Sequence, residues 1–459
     1  MRYSVVGLGK LGCSMAAAIA SRGYDVIGHD VQPGVVAALA AGRAPVQETG
    51  LAELIAAHRS RLRATHSLDE VVAGSDITFV VVPTPSDGRG AFLLDYARAA
   101  FAGLGHALAT KQQRHTVVLT STVLPGATRY GLMPALESAG AIVGSNVGVC
   151  YSPAFIALGS VVRDFLHPDL VLVGESDAAA GAMLEQAYRE ILPGQPPVRR
   201  MTLENAELAK LAVNTFVTTK ISFANMLADL CERIPGADVD VVTDALGLDR
   251  RIGRHYLTGA LGYGGPCFPR DNQALSFIAR AVGTAAPVAD ATDAVNRMLP
   301  DRIAARVAAA ISAGQTVAVL GLAYKPDTAV IDESQSVLIA RALAAAGARV
   351  VGHDPLAGPA VRHAHGDAIR VLDDVQSCID VADVVLITTP DRAYAQLGAA
   401  QFTRDGRRRM VIDFWRTHAH TLSDAAGVDY HALGRGSTGG PSEALLCELW
   451  GAAQTTVPG

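Results

Sequence analysis

The chain has few cysteines for its length and no closely spaced pair of them. Its six cysteines are scattered over 459 residues, and none forms a CxxC pair. Disulfide scaffolds and structural zinc sites need clustered cysteines. The sequence therefore predicts no disulfide framework and no metal site, and it favours a reducing, cytoplasmic compartment.

Strong net charge and long apolar runs are also missing. The formal net charge is only −5, which argues against a nucleic-acid-binding protein, because such a protein needs a basic face. No uninterrupted apolar run reaches the length of a membrane helix. The N-terminus starts with a strand-like run instead of a charged, cleavable leader. We therefore expect neither nucleic acid nor membrane as a partner.

The apolar content that is present suits more than one core. Half of the residues are hydrophobic and 18% are charged, as in a globular protein, and 459 residues call for two or three domains. Strand-like runs at residues 3–6, 24–27, 77–82 and 116–119 alternate with Ala/Leu-rich stretches. This alternation is typical of a parallel α/β sheet.

A second α/β region follows Pro300 and resembles the first. Residues 348–354 (ARVVGHD) resemble residues 24–30 (YDVIGHD). Between the two regions lie a Pro/Gly-rich break at 193–197 and a predicted long helix from about 203 to 231. We predict two Rossmann-like domains with parallel sheets, joined by a long-helix central domain. The predicted boundaries are 1–197, 198–300 and 301–459.

A glycine-rich turn follows the first strand. Gly7, Gly9 and Gly12 form the pattern GxGxxG, and Asp30 ends the next strand, at about the distance expected of a dinucleotide site. Such glycines let backbone N–H groups approach a pyrophosphate at a helix N-terminus. The Asp30 carboxylate can accept hydrogen bonds from a ribose diol and would repel a 2′-phosphate. The pattern therefore predicts NAD as the cofactor, against the alternative of a turn that only packs helix on strand.

Two further patterns are chemically suggestive but not decisive on spacing alone. Cys267 lies in a glycine-rich segment where a substrate could reach it as a nucleophile, although most lone cysteines are inert and buried. Lys210 and Asn214 are four residues apart and share one helix face, which could equally be a solvated face. Lys325 follows a strand of the second region and suits a phosphate, but an ordinary surface lysine explains it as well.

Taken together, the motifs resemble the UDP-glucose/GDP-mannose dehydrogenase family over nearly the whole chain. Seven motifs occur in the family's order, at residues 7–12, 82–85, 121–126, 207–214, 251–253, 262–271 and 325–328. The resemblance implies a four-electron oxidation of a sugar C6 alcohol to a carboxylate with two NAD⁺. UDP-glucose is the default substrate. It also implies a nucleotide-sugar site in the last domain and a homodimer or higher homo-oligomer formed through the central one.

The resemblance also implies roles for individual residues. Cys267 would form a thiohemiacetal and then a thioester, while Lys210 and Asp271 hold the catalytic water, supported by Asn214 and Thr122. The implied cofactor-binding residues are Gly7, Gly9, Lys10, Leu11, Gly12, Asp30, Pro83, Thr84, Ser121 and Thr122. The implied substrate-binding residues are Phe155, Lys210, Asn214, Arg251 (acting across a dimer interface), Tyr256, Leu257, Gly264 and Lys325.

The match fails in the segment at residues 152–159. The family's usual pattern there contains two glutamates, and this chain has Ala154 and Leu158 in their places. Alanine cannot transfer a proton. Three explanations fit: an introduced substitution that traps a complex, a natural variant with another base, or a degenerate relative. We favour the first, because the rest of the set is present, namely Cys267, Lys210, Asn214 and Asp271.

The C-terminal region departs from the family as well. Ala329, Val330 and Asp332 replace an acidic pair and an arginine, and residues 413–416 (DFWR) stand where Asp-Gly-Arg is common. These differences leave the substrate open among UDP-glucose, a UDP-N-acetylhexosamine and GDP-mannose. Two alternative functions also remain open: a catalytically silent nucleotide-sugar-binding relative, and a two-electron β-hydroxyacid dehydrogenase.

Overall fold

The computed structural model describes residues 1–312, 314–403, 407–437 and 441–453. The chain forms two compact units. The first comprises Met1–Val213 and Ala274–Ala285, and the second comprises Asn214–Gln273 and the described residues from Ala286 onward. The three-part division at residues 197 and 300 stays a prediction.

The first unit is built on a largely parallel sheet. Eight of the described strands form it, in the order β3-β2-β1-β4-β5-β6-β7-β8. Their bounds are β1 (Tyr3–Val6), β2 (Val26–His29), β3 (Leu62–Thr65), β4 (Ile77–Val80), β5 (His115–Leu119), β6 (Val147–Tyr151), β7 (Val171–Glu175) and β8 (Val198–Thr202). Strands β6 and β7 pair antiparallel. The order of the first six is that of a Rossmann fold, which confirms the predicted fold class.

Helices cover both faces of this sheet, so its central strands are buried on both sides. The helices up to the middle of the chain are α1 (Lys10–Ser21), α2 (Pro33–Ala40), α3 (Leu51–Ala57), α4 (Leu68–Gly74), α5 (Asp95–Leu108), α6 (Met133–Ser138), α7 (Val161–Leu166), α8 (Ala178–Ile191) and α9 (Leu203–Arg233). A π-helical turn at Ala127–Leu132 precedes α6. The long helix α9 confirms the helix predicted from about residue 203.

The second unit carries a similar, smaller sheet. Within the described part of the chain it has six strands, ordered β11-β10-β9-β12-β13-β14. They are β9 (Thr316–Leu320), β10 (Arg349–His353), β11 (Arg370–Val371), β12 (Val384–Ile387), β13 (Arg409–Asp413) and β14 (Val428–Ala432), and they pair parallel. The remaining helices are α10 (Val239–Leu248), α11 (Phe268–Ala281), α12 (Pro287–Ala310), α13 (Gln335–Ala345), α14 (Gly358–His365), α15 (Val375–Asp380), α16 (Arg392–Ala395), α17 (Ala399–Phe402), α18 (Ala419–Leu422) and α19 (Pro441–Ala453).

One local expectation, the position of the second strand, needs correction. The strand expected at residues 24–27 is β2, shifted by two residues, because Tyr24 packs edge-on against Tyr3 with ring centroids 5.4 Å apart and lies ahead of the strand. Pro300 precedes the second α/β region, as expected, since β9 begins at Thr316, but it lies inside α12. Proline removes one helical hydrogen bond, but the helix continues on both sides of Pro300.

No helix in the described ranges is both long and apolar enough to cross a membrane.

Candidate active site

The turn between β1 and α1 can be built only from glycine at two of its three positions. Gly7 has φ +92°, and a Cβ there would lie 2.1 Å from the carbonyl oxygen of Val81. A Cβ on Gly12 would lie 1.9 Å from the carbonyl oxygen of Gly7. Side chains at these positions would push the turn away from β4 and α1 away from β1. The glycines therefore hold the start of α1 against the carboxyl end of the sheet.

Gly9 differs from its two neighbours in this turn. A Cβ on Gly9 would meet nothing within 4 Å, so the packing of the protein does not account for this glycine. Gly9 is the N-cap of α1 and offers no side chain to the helix's first N–H groups. Lys10 is exposed and Leu11 is half-buried at this end. An uncapped helix N-terminus facing open space fits a pyrophosphate.

Asp30, directly after β2, closes the other side of this site. Its Oδ2 accepts a hydrogen bond from the Leu8 N–H at 2.8 Å, and its Oδ1 accepts one from the Gln32 N–H at 2.9 Å. These bonds fix the carboxylate beside the glycine turn. Each oxygen keeps a second lone pair that can accept from a ribose hydroxyl.

Hydrogen bonds join the loops after β4 and β5 at the same edge of the sheet. The Ser121 hydroxyl accepts from the Val82 N–H at 2.9 Å and donates to the Val82 carbonyl at 2.6 Å. The Thr84 hydroxyl donates to the Thr122 carbonyl at 2.8 Å. Pro83 is exposed between them. The structure thus brings together the cofactor residues predicted from two separate motifs.

Lys210 lies near the segment that contains Ala154. Its ammonium sits 4.6 Å from the centroid of the Phe155 ring, a cation–π contact, and Lys210 is only 8% exposed. Ala154 borders a cavity of about 30 Å³. The buried Thr120 hydroxyl also lines this cavity and has no hydrogen-bond partner among the described residues. That volume holds about one water molecule.

One carboxylate, that of Asp164, borders the same cavity, but it is already engaged. Its Oδ2 accepts from the Ser160 hydroxyl at 2.7 Å and from the Ala157 N–H at 3.0 Å, while its Oδ1 accepts from Arg163. Burial acts to raise the pKa of Asp164, but these hydrogen bonds outweigh it and hold the pKa below its ordinary value. Asp164 is therefore a poor proton acceptor and no substitute for a glutamate at position 154.

In the second unit, three of the predicted catalytic residues lie within a short distance. Asn214 donates a hydrogen bond from Nδ2 to Oδ2 of Asp271 at 2.6 Å, and both side chains are buried. Cys267 immediately precedes α11 and is exposed. The Asp271 N–H donates to the Cys267 carbonyl at 2.9 Å, so the thiol and the carboxylate are one helical turn apart. A helix N-terminus also stabilises a thiolate.

The glycines before Cys267 are pressed against the loop that follows β9. A Cβ on Gly264 would lie 2.4 Å from the Glu333 carbonyl oxygen. Gly265 has φ +81°, and a Cβ there would lie 2.6 Å from the Tyr324 ring. The Gly265 N–H donates to the Asp332 carbonyl at 2.9 Å. This loop therefore fixes the position of the cysteine segment.

The same loop contains Lys325, whose ammonium lies 5.9 Å from the centroid of the Tyr324 ring. In contrast with the first unit, no helix follows β9 directly. Gly321 has φ +100°, and the chain continues as a loop until α13 begins at Gln335. A lysine in such a loop can bind a diphosphate as a point charge.

The remaining predicted substrate residues lie between α10 and the glycine segment. Arg251 is largely exposed and pairs with Asp249 at 2.6 Å. Tyr256 is exposed with φ +64°, whereas Leu257 is buried at 2% exposure. The structure shows Leu257 as a packing residue of this segment, and its substrate role stays a prediction.

Sequence reasoning missed residues that act through long-range contacts. Lys220 on α9 donates to the carbonyls of Ile252 and Gly253, both at 3.1 Å, and so holds the Arg251 segment. Glu207 on α9 binds backbone N–H groups of Gly126 and Thr128. Glu207 lay within a recognised motif, so its position carried a signal, but the spacing gave no indication of its partners.

Comparisons with known proteins agree with this geometry. Three models of the UDP-glucose/GDP-mannose dehydrogenase family match: the NAD binding domain at residues 1–192, the central domain at 204–298 and the UDP binding domain at 318–420. The chain is 37% identical to the UDP-glucose 6-dehydrogenase of Haloferax volcanii over 438 residues, which cover 94% of this chain and 100% of that protein. It is 30% identical to the GDP-mannose 6-dehydrogenase of Pseudomonas putida over 412 residues, 86% of this chain and 93% of that protein.

A solved structure of a UDP-glucose dehydrogenase from the archaeon Pyrobaculum islandicum is also similar. It superposes with a TM-score of 0.84 at 35% identity, over 95% of this chain and 98% of that one. With three domain models matched in order, the β-hydroxyacid dehydrogenase alternative has no support here. NAD is the cofactor that the first matched domain binds. The chain belongs to the UDP-glucose/GDP-mannose dehydrogenase family of nucleotide-sugar dehydrogenases.

Proposed function

We propose that this protein oxidises the C6 alcohol of UDP-glucose to the carboxylate of UDP-glucuronate with two NAD⁺. Relatives at 37% and 35% identity are named UDP-glucose dehydrogenases, whereas the GDP-mannose 6-dehydrogenase described above is 30% identical and a UDP-N-acetylmannosamine dehydrogenase structure is 23% identical. This difference favours UDP-glucose over GDP-mannose or a UDP-N-acetylhexosamine. The observation that carries the proposal is the buried Asn214–Asp271 pair one turn from the exposed Cys267. The thiol can capture an aldehyde, and a carboxylate with an orienting amide can hold the water that attacks a thioester.

The residues divide the chemistry between them. NAD⁺, when bound, accepts one hydride in each of the two oxidations. The Cys267 thiolate adds to the C6 aldehyde and forms a thiohemiacetal, which becomes a thioester when C6 loses its second hydride. Water then cleaves the thioester, releasing the carboxylate and returning the thiol. Lys210 and Thr122 stabilise oxyanions on C6, while Asn214 orients Asp271 toward the attacking water.

The thioester step is the one that we expect to be slow in this chain. Position 154 adjoins Phe155, which contacts Lys210, and alanine there offers no proton acceptor. Asp164 is committed to its own loop. Losing a positioned general base commonly costs about 10²- to 10⁴-fold in rate. The same observation favours the second candidate function, a nucleotide-sugar-binding protein without turnover.

We also propose that the protein is at least a homodimer. Large apolar side chains of α9 in the second unit are exposed, namely Phe216, Phe223, Met226 and Leu230. Exposed aromatic and aliphatic groups in a row along a helix are typical of an interface. Arg251, exposed in the single chain, would then reach a substrate hydroxyl in the other protomer. A monodisperse monomer in light scattering at micromolar concentration would contradict this.

The stoichiometry of NADH release tests the proposed reaction. UDP-glucose should yield two NADH per sugar, and GDP-mannose and UDP-N-acetylglucosamine should yield far less. Cys267→Ser should release no more than one NADH per sugar, because the aldehyde can no longer be captured as a thiohemiacetal. One NADH per sugar in the unaltered protein would show a two-electron dehydrogenase. Binding of UDP-glucose without any NADH would favour the binding protein.

A further inference from the structure

Glu207 is a fully buried carboxylate that the reaction above does not use. It lies on α9, three residues before Lys210, and has 0% exposure. Its Oε2 accepts a hydrogen bond from the Gly126 N–H at 2.6 Å, and its Oε1 accepts one from the Thr128 N–H at 2.9 Å. Both oxygens therefore point at backbone N–H groups of a single turn that is remote in sequence.

That turn ends the loop after β5. Gly126 has φ +88° and precedes the helical turn Ala127–Leu132, so the two N–H groups belong to the start of this turn. The other end of the loop is fixed by Ser121, which bonds to both backbone groups of Val82. Residues 122–125 thus run between two anchors, one in the loop after β4 and one on α9.

The two hydrogen bonds offset part of the cost of burying this carboxylate. An ionised carboxylate without solvent costs several kcal/mol unless hydrogen bonds compensate it. Charge-assisted bonds at a helix N-terminus supply such compensation. Burial raises the pKa of Glu207, opposed by the hydrogen bonds from Thr128 and Gly126. A buried acid used only for packing could be replaced by an apolar residue without this cost.

We propose that Glu207 is a positioning residue that holds the loop 121–126 in its NAD-binding conformation by acting as a carboxylate cap on the turn at Gly126. The inference rests on the proposed cofactor roles of Ser121 and Thr122. Releasing the cap frees the loop to move away from the cofactor while the sheet and α9 stay folded. Glu207 thus acts on NAD binding through the loop, without touching the cofactor.

Glu204 provides a matched control on the same helix. Its carboxylate pairs with Arg129, in the same turn, but both side chains are about one-third exposed. Exposed ion pairs contribute about 0–1 kcal/mol. We expect Glu207→Gln to raise the Kd for NAD⁺ at least tenfold, because one oxygen becomes an NH₂ group that faces an N–H. Glu204→Gln should stay within about twofold. Glu207→Asp keeps the charge on a side chain that is one methylene shorter, so its Kd for NAD⁺ should lie between those of the other two variants.

The pH dependence distinguishes positioning from a general loss of structure. The cap works in the ionised form, so NAD⁺ affinity of the unaltered protein should fall as pH drops through the raised pKa of Glu207. The charged groups nearest this carboxylate are Glu204 from its own helix and Arg129 from the turn. Glu204→Gln should therefore keep the pH dependence, and Glu207→Gln should lose it.

The experiment is calorimetric titration of the full-length variants with NAD⁺ and, separately, with UDP, from pH 5 to 8. UDP affinity should be the same in all variants, which also shows that each is folded. If Glu207→Gln binds NAD⁺ with the unaltered affinity and pH profile, the inference is wrong. If the unaltered protein binds NAD⁺ but not UDP, the proposed function fails while the inference about Glu207 stands. If Glu207→Gln loses both ligands, Glu207 is a general stability residue and the inference is likewise wrong.

Discussion

The two α/β sheets of this chain are alike in their frames and different at the carboxyl ends of their strands. In both, the first strand lies at the centre and ends in a glycine with positive φ, Gly7 in one and Gly321 in the other. In both, an aspartate after the second strand accepts backbone N–H bonds from the turn that follows the first, Asp30 from Leu8 and Asp354 from Leu322.

The two sheets differ in the segment that follows the first strand at its carboxyl end. After Gly7 the chain enters α1 at once and presents an uncapped helix N-terminus beside Gly9. After Gly321 it forms a loop that contains Lys325 and supports the glycines before Cys267. We therefore expect one sheet to offer backbone N–H groups to a pyrophosphate and the other to offer a lysine. A shared frame would then support two different modes of phosphate binding.

The largest expected effect comes from Gly9. Gly9→Ala adds a methyl group where no protein atom lies within 4 Å, so the fold should tolerate it. If the backbone there approaches a pyrophosphate, the methyl group displaces the ligand, and NAD⁺ affinity in calorimetry should fall at least about tenfold, or 1.4 kcal/mol. Gly34→Ala, which also meets open space, should change neither NAD⁺ affinity nor melting temperature.

Lys325→Met should weaken the binding of UDP and leave the binding of NAD⁺ unchanged. Hydrogen bonds to charged groups contribute about 1.5–3 kcal/mol, so UDP affinity should fall by about tenfold to a hundredfold while NAD⁺ affinity is unchanged. If Gly9→Ala or Lys325→Met lowered the affinities for NAD⁺ and UDP equally, the assignment of one ligand to each sheet would be wrong.

Substitutions of the two matching aspartates, Asp30 and Asp354, should also affect different properties, and their effects should be smaller. The Asp354 carboxylate accepts four backbone N–H bonds, from Leu322, Ala323, Leu356 and Ala357. Asp354→Asn should therefore lower the free energy of unfolding by about 1–3 kcal/mol without affecting NAD⁺ affinity. Asp30→Asn should instead reduce the preference for NAD⁺ over NADP⁺, because it removes the charge that repels a 2′-phosphate. Equal effects of both substitutions on cofactor preference would contradict the comparison.

The amino ends of the strands give an effect that appears only below pH 6.5. The first residue of β5 is the buried His115, and that of β13 is the buried Arg409. His115 accepts from the Lys111 ammonium at 3.0 Å and bonds to the Thr78 hydroxyl at 2.8 Å. Burial, together with the charge of Lys111, lowers the pKa of His115 to about 3. Arginine at the matching position does not titrate in this range.

The unfolded chain therefore takes up a proton on this histidine below pH 6.5 while the folded one does not until about pH 3. Its contribution to stability is complete above pH 6.5 and declines by at most about 1.4 kcal/mol per pH unit below it. His115→Gln should flatten the decline in denaturant-measured stability between pH 6.5 and 4. The control His106→Gln, at an exposed position, should leave the decline unchanged, and an equal slope in all three proteins would contradict the prediction.

Local patterns predicted the local parts of this structure well. The strand before Gly7, the helix after it and the long helix α9 follow from hydrophobic runs, glycines and the absence of helix breakers. The pattern misplaced β2, because Tyr24 is apolar like a strand residue but packs against Tyr3 ahead of the strand. Pro300 does not end α12, because packing of α12 against α13 outweighs one lost hydrogen bond.

Contacts between distant residues could not be predicted in the same way. Glu207 and Gly126 are 81 residues apart, and Lys220 and Gly253 are 33 apart. No spacing rule links such pairs, because their meeting depends on how the strands and helices pack. The same holds for Tyr324 and Gly265, where a ring of one loop determines that another loop must contain glycine.

The covalent state of Cys267 is the most direct test of the proposed function. After incubation with NAD⁺ and UDP-glucose, intact-protein mass spectrometry should show an added sugar-nucleotide mass, and peptide mapping should locate it at Cys267. The adduct should be absent in Cys267→Ser, and Ala154→Glu should turn over steadily with little adduct. Rapid turnover of the unaltered protein with no adduct would show that another residue supplies the base and would contradict the account of position 154. The absence of both NADH and adduct with every sugar nucleotide would contradict the proposed enzyme itself.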